Sequence, residues 1–165
     1  MRTPHEQLKQ NLAAALADET ALVAYVRETF GKTPLIIVNR YGAQGFPGEE
    51  EAPFIWIFSE DAENEAGDVD EEAFTVGVVF GAVDGGPCAR KVVSRRRTDE
   101  AAGIETYGVM AEVEAVREMI FDVVRRSTHG AIFRSATRTE ANLLDYPLEW
   151  AKLRIDYAEP DTLDD

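Results

Sequence analysis

Cysteine and histidine are scarce in this chain. Among its 165 residues there is one cysteine, Cys88, and there are two histidines, His5 and His129. A single cysteine excludes an intramolecular disulfide and a zinc site built from cysteines. For Cys88 we favour a half-buried small apolar side chain near a turn. A nucleophilic cysteine needs a base close in space, and the sequence places neither imidazole beside it.

Long apolar segments are also missing. Apolar stretches such as Leu35–Val38 and Phe54–Phe58 are far shorter than the roughly 20 residues that a helix needs to cross a bilayer. The N-terminus moves from Pro4 straight into an amphipathic segment and lacks the charged-then-apolar pattern of a secretory signal. We therefore expect no membrane contact and no export by the general secretory route.

Basic residues are few relative to acids. The chain has 31 Asp and Glu against 17 Lys and Arg, which gives a formal net charge of -14. Affinity for nucleic acid comes from the neutralisation of phosphates by Lys and Arg, so we expect no specific nucleic-acid binding. The charge favours solubility and discourages nonspecific contact with DNA and anionic lipid.

Catalytic and cofactor-binding motifs are absent from the sequence. The glycine-rich segment 42–48 (GAQGFPG) is followed by no Lys-Ser or Lys-Thr pair, and neither a Gly-x-Ser-x-Gly nor a His-Glu-x-x-His pattern occurs. The acidic segment 60–72 does not have the spacing of a calcium loop. We therefore predict no catalytic residue, no cofactor and no metal, and we expect that the protein is not an enzyme. A small-molecule enzyme with an unconventional site remains an alternative, and it would need a deep pocket with titratable groups.

Two regions have helical periodicity. Within the first thirty residues one apolar stripe runs through Leu8, Leu12 and Leu16, and a second runs up to a stop at Gly31. The polar residues 18–20 leave both one bent helix and two short helices open. Residues 111–128 form the second helical region, with valines and an isoleucine on one face and acids early and arginines late.

Branched and aromatic segments predict strands between and after these helices. They cover residues 34–41, 53–59, 73–83, 90–97, 104–109, 131–139 and 148–157. The order predicts an α+β fold, with a mostly antiparallel sheet and two main helices packed on one face. No composition break marks a linker, so residues 1–165 are expected to form a single domain with a frayed acidic C-terminus.

Two of the predicted strands have unusual side-chain patterns. The continuous apolar run of residues 53–59 (PFIWIFS) predicts burial on both faces, or one face covered by an interface. In residues 73–83 bulky side chains alternate with small ones such as Gly77 and Gly81. Small residues on one face predict that another backbone packs closely there.

A basic segment stands out in this acidic chain. Five bases lie within eight positions: Arg90, Lys91, Arg95, Arg96 and Arg97. A neighbouring copy could supply complementary acids from the segment 60–72, and the candidate partners are Glu60, Asp61, Glu63 and Glu65. Two alternatives stay open: an exposed strand whose charges prevent aggregation, and contact with a nucleic-acid backbone. No aromatic residue is interleaved, which disfavours a platform for stacking single-stranded bases.

Five segments, in their order along the chain, resemble the tail terminator (tail completion) proteins of long-tailed phages and prophages. They are the opening helix LKQNLAAALADETAL, the strands PFIWIF and FTVGVVFGAV, the long helix EVEAVREMIFDVVRR and the closing strand PLEWAKLRIDY. Together they span about residues 4–158. The long basic segment and the Asp-Gly-Gly-Pro turn at residues 84–87 depart from the family pattern.

The resemblance implies a structural role. Copies of such a protein form a ring, usually of about six, that caps the tail tube and meets the head. The implied partners are other copies of the chain, the tail-tube protein and head-completion proteins. The implied location is the bacterial cytoplasm during assembly and then the virion tail. A competing hypothesis from the acidic composition is an inhibitory binding protein, such as an immunity protein or a DNA mimic.

Overall fold

Three α-helices and seven β-strands occur in the described part of the chain. The computed structural model describes residues 3–43, 45–60, 73–84, 90–126, 129–140 and 145–158. The helices are α1 (Pro4–Asp18), α2 (Thr20–Phe30) and α3 (Met110–Arg126). The strands are β1 (Leu35–Val38), β2 (Phe54–Ser59), β3 (Ala73–Val83), β4 (Lys91–Arg95), β5 (Ile104–Tyr107), β6 (Ile132–Glu140) and β7 (Leu148–Ala158).

The N-terminal region forms two helices rather than one bent helix. Thr3 caps α1, because its hydroxyl accepts a hydrogen bond of 3.2 Å from the backbone N–H of Glu6. The chain leaves the helical conformation at Glu19, and α2 starts at the next residue. As predicted, α2 ends at Gly31, which adopts the left-handed conformation (φ 85°) that glycine tolerates.

Five strands form one mixed sheet in the order β1-β2-β3-β7-β6. β1 runs parallel to β2, and all other neighbours are antiparallel. The predicted α+β fold with a mostly antiparallel sheet is therefore confirmed. The expectation of a single sheet is incomplete, because β4 and β5 pair only with each other in a separate two-stranded sheet.

The main core lies between one face of the five-stranded sheet and the three helices. Leu8, Leu12 and Leu16 of α1 are fully buried there, as their spacing predicts. Side chains of alternate residues in β2, β3 and β7 meet them, including Ile55 and Leu153. The other sheet face carries a second, smaller cluster around Phe54 and Trp56, and no described helix covers it. The central residues of this face, such as Phe54 and Val79, are nevertheless buried, so the face is open only in part.

Candidate interaction surface

The predicted basic segment folds into an exposed two-stranded arm. In the arm, which we define as residues 91–107, β4 and β5 are antiparallel, with Lys91 opposite Tyr107 and Val93 opposite Glu105. Every residue of both strands is exposed. The base is fixed to α3, where the Arg90 guanidinium lies 2.8 Å from the Glu112 carboxylate. The arm therefore projects from the helix layer without contributing to the main core.

Apolar side chains on this arm are unusually exposed. Val92, Val93, Ile104 and Tyr107 retain between 46% and 52% of their accessible surface. They are four of the nine large apolar residues that are exposed in the described part of the chain. An isolated two-stranded hairpin is at best marginally stable in water, and exposed apolar side chains of this kind mark interaction surfaces. The arm therefore has the character of a docking element.

The structure brings four of the five predicted bases together. Lys91, Arg95, Arg96 and Arg97 line a cleft of 790 Å³ on one side of the arm. Lys91 lies 2.9 Å from Glu105, and this hydrogen bond raises the pKa of the lysine. Arg95 donates a hydrogen bond of 2.7 Å to the carbonyl of Ala102. Within the described ranges, Arg96 and Arg97 form no ion pair.

Only one of the four predicted acidic partners can be placed. Asp61, Glu63 and Glu65 lie outside the described residues, as do Cys88 and most of the predicted turn at 84–87. Glu60 follows β2 directly and keeps 18% of its side chain exposed. Its carboxylate pairs with Lys152, and it lies 3.7 Å from the Arg154 guanidinium. The described ion pairs of Glu60 therefore tie β2 to β7 rather than to the arm.

The sheet face opposite the helices is rich in aromatic rings. We call this surface the aromatic face and define it by Phe46, Phe54, Trp56, Phe58 and Trp150. Ring centroids of Trp56 and Phe58 are 4.1 Å apart in a stacked arrangement. Phe46, from the loop before β2, meets Trp56 at 5.4 Å and Trp150 at 5.7 Å, both edge-on. Such arrangements are favourable beyond the area they bury.

Glycines of β3 make room for these rings. Phe54 lies opposite Gly81 and Phe58 opposite Gly77. A Cβ atom added at either glycine would lie 2.4 Å from the ring it faces. The prediction that a backbone packs on the small face of this strand is therefore wrong, because aromatic side chains of β2 fill that space.

The aromatic face is partly open and carries charges of both signs, since acids follow Phe46 and the Lys152 ammonium group lies 5.4 Å from the centre of the Phe58 ring. Phe46 is 42% exposed, and Leu35 of β1, beside Phe54 on the same face, is 49% exposed. The loop that carries Phe46 continues into Glu49 and Glu50, which are both exposed. The Phe-x-Trp-x-Phe alternation in residues 54–58 places these rings on one face of β2, and the predicted burial of this strand on both faces is confirmed over residues 54–57.

A polar cluster around Lys9 has no counterpart among the sequence predictions. This lysine is only 4% exposed, and its ammonium group donates to Asn39 and, at 3.2 and 2.9 Å, to Tyr41 and Ser59. It also lies 3.3 Å from the Glu6 carboxylate. Lys9 precedes Leu12 and Leu16 by three and seven positions, so helical spacing places it on the buried stripe.

The chemistry of this cluster suits an anchor for α1. The Ser59 hydroxyl lies 3.3 Å from Nε2 of His5. Burial and then the charge of Lys9 lower the pKa of His5, so its neutral form is favoured. An ammonium group that donates to three oxygens has no lone pair for a proton, so Lys9 is not arranged as a base for Ser59. Across the described residues, no group of three or more His, Cys, Asp or Glu could hold a metal ion.

The molecule is an α+β protein with two candidate contact surfaces. One is the arm with its exposed apolar and basic residues, and the other is the partly open aromatic face. No known family model matches the chain, and no curated protein matches it significantly. Among the described helices, none is long and apolar enough to cross a membrane.

Proposed function

We propose that the protein is a non-enzymatic structural component of a phage or prophage tail. Its copies assemble into a ring that caps the tail tube and joins the tube to the head. Assembly takes place in the bacterial cytoplasm, and the product is part of the virion tail. The partners are further copies of the chain, the tail-tube protein and head-completion proteins.

The arm is the observation that carries this proposal. Residues 91–107 form a hairpin, with a register shift between Val93 and Arg95, that leaves apolar side chains exposed and does not join the five-stranded sheet. Such an element gains its burial from another molecule. The order of helices and strands, which resembles that of tail terminators, directs the choice of partner to further copies and to tail components.

The direct test is the mass of the purified protein by light scattering across a series of protein and salt concentrations, with negative-stain images. We expect closed rings, and we expect them to weaken as salt rises, because exposed ion pairs are screened. A mass of one subunit under all conditions contradicts the ring.

A charge-reversed variant tests the arm. Arg95→Glu, Arg96→Glu and Arg97→Glu together should lower self-association without loss of the fold, because these side chains are exposed. The control reverses three exposed bases away from the arm, Arg27, Lys32 and Arg125, which changes the net charge by the same amount. Equal losses in the two variants indicate a general charge effect and contradict a specific arm contact.

A second candidate is an acidic inhibitory binding protein, and the net charge of -14 favours it. This protein would remain monomeric or dimeric and bind one basic partner with salt-sensitive affinity. Genes for tail-tube and head-joining proteins beside this gene support the tail proposal, whereas a neighbouring toxin or nuclease gene supports the inhibitor.

A further inference from the structure

We infer that the arm of one copy docks on the aromatic face of the next copy. The inference rests on the proposed function, since it supplies the contact by which copies would join. The two partner surfaces are the arm of one copy and the aromatic face of the next, so the contact runs head to tail.

The two surfaces match in chemistry. On the side of the arm that carries the basic cleft, Val93 and Tyr107 are each about half exposed, and the aromatic face presents Leu35 and Phe46, also about half exposed. Burying both sets against each other removes apolar surface from water on each side, which is the main driving force of association. Aromatic side chains are enriched at the centres of such contacts.

The surfaces also match in charge at the edge of the aromatic face beside Phe46, whereas Lys152 and Arg154, which lie on the same face, are held by Glu60. Arg96 and Arg97 of the arm are exposed and lack an ion pair within the described ranges. On the other side, Glu49 and Glu50 follow Phe46 in the same loop and are exposed. The Asp145 carboxylate accepts a hydrogen bond of 3.0 Å from the Trp150 indole and adds a third acid at the edge. Opposite charges around an apolar centre set orientation and select the partner.

A chain's own arm does not occupy this face. The base of the arm is bound to α3 through Arg90 and Glu112, and α3 packs on the helix-covered side of the sheet. The aromatic face lies on the opposite side, and the arm residues are exposed rather than docked. Because the two surfaces are different, each copy donates one arm and receives another. A repeated contact of this kind closes into a ring when the rotation between copies permits it.

Two complementary charge variants test the contact. The arm variant carries Arg95→Glu, Arg96→Glu and Arg97→Glu, and the face variant carries Glu49→Arg and Glu50→Arg. In each variant alone, arm and face have the same sign, so self-association should fall more than about tenfold. In an equal mixture each arm meets a face of opposite sign, so the mixture should recover assemblies of wild-type mass with alternating subunits.

The outcomes separate this inference from the proposed function. If wild-type rings form but the mixture fails to recover, or each variant assembles alone as the wild type does, docking of the arm on this face is wrong and the ring stands. If the wild-type chain never self-associates, both proposals are wrong. Circular dichroism of each variant checks that the fold is retained.

Intrinsic fluorescence gives an independent readout that does not depend on charge. Both tryptophans of the chain, Trp56 and Trp150, lie on the aromatic face. Trp56 is already buried, whereas Trp150 is partly exposed, so docking should bury Trp150 and shift the wild-type emission to shorter wavelength as the concentration rises through the association range. Val93→Ser in the arm should abolish the shift while leaving the tryptophan environment of the monomer unchanged. A shift that survives this variant, or association without any shift, overturns the inference.

Discussion

The Lys9 ammonium group donates a hydrogen bond of 2.9 Å to the Ser59 hydroxyl, across 50 residues of sequence. The same ammonium group reaches Tyr41 at 3.2 Å and pairs with Glu6 at 3.3 Å. These bonds join α1 to the ends of β1 and β2, next to the loop that carries Phe46. The buried lysine therefore adds polar contacts to the leucine packing that holds α1 on the sheet.

Replacing this lysine should destabilise the fold. Lys9→Met keeps the length of the side chain but leaves three oxygens without their shared donor, and we expect a loss of about 2–4 kcal/mol in the free energy of unfolding. Urea denaturation measures the change. Lys32→Met, at an exposed lysine, is the matched control and should change stability by less than about 0.5 kcal/mol. A similar, small effect of both substitutions would show that the cluster adds little stability.

The glycines beneath the aromatic rings should differ in tolerance. Gly81→Ala and Gly77→Ala both bring a Cβ to 2.4 Å from a ring. Phe54, over Gly81, is fully buried, whereas Phe58, over Gly77, is partly exposed and has room to turn aside. We expect Gly81→Ala to cost about 1–3 kcal/mol and Gly77→Ala clearly less.

A double variant checks the physical cause of this difference. Phe54→Leu in the Gly81→Ala background should cost less than the sum of the two single substitutions, since the smaller side chain relieves the clash. Thermal unfolding of all four proteins gives the comparison. Strict additivity, or a larger cost at Gly77, contradicts the assignment of strain to the ring.

Tyr157 is a site where removing a polar atom should stabilise the protein. Its ring is fully buried, its buried hydroxyl has no hydrogen-bond partner among the described residues, and burial raises the pKa of this phenol. Tyr157→Phe keeps the edge-on contact with Phe133 and removes the unpaired hydroxyl. We expect a gain of about 0.5–1.5 kcal/mol in the free energy of unfolding. The control Tyr25→Phe, at a partly exposed tyrosine, should give no gain in stability. A loss of stability in Tyr157→Phe would indicate that the Tyr157 hydroxyl has a hydrogen-bond partner.

Stability should fall as the solution becomes mildly acidic. The pKa of His5 is lowered from 6.5 by burial and by the charge of Lys9, and the nearby Glu6 carboxylate acts in the opposite direction. As the pH falls, His5 therefore takes up a proton in the unfolded chain before it does so in the folded protein. The contribution of His5 to stability is complete above its pKa in the unfolded chain, and it is lost as the pH falls towards its lower pKa in the folded protein.

Urea midpoints between about pH 7.5 and 5.5 test this dependence, because carboxylates titrate mainly below that range. His5→Gln should flatten the fall, whereas His129→Asn, which leaves His5 in place, should keep it. An unchanged slope in His5→Gln assigns the pH dependence to other groups.

Part of the candidate interaction surface could be predicted from sequence. The cluster Arg90–Arg97 predicts an exposed basic segment, and the structure places it in a hairpin whose strands are exposed. The contacts of that segment could not be predicted. An acidic run such as residues 60–72 shows that negative charge is present but not which bases it pairs with. Glu60 pairs with Lys152 and Arg154, which lie more than ninety residues further along the chain.

Local periodicity determined the helices, most strand positions and the α+β class. The repeat of leucines in α1, the valine stripe in α3 and the alternation in β3 depend only on neighbouring residues, so the backbone geometry of each element is encoded where it forms. Tertiary structure decided the contacts between distant segments: the separation of β4 and β5 from the main sheet, the partners of Lys9 and the rings over Gly77 and Gly81. Such contacts depend on which strands become neighbours in the sheet. The alternation of side chains along one strand does not determine which strand pairs with it.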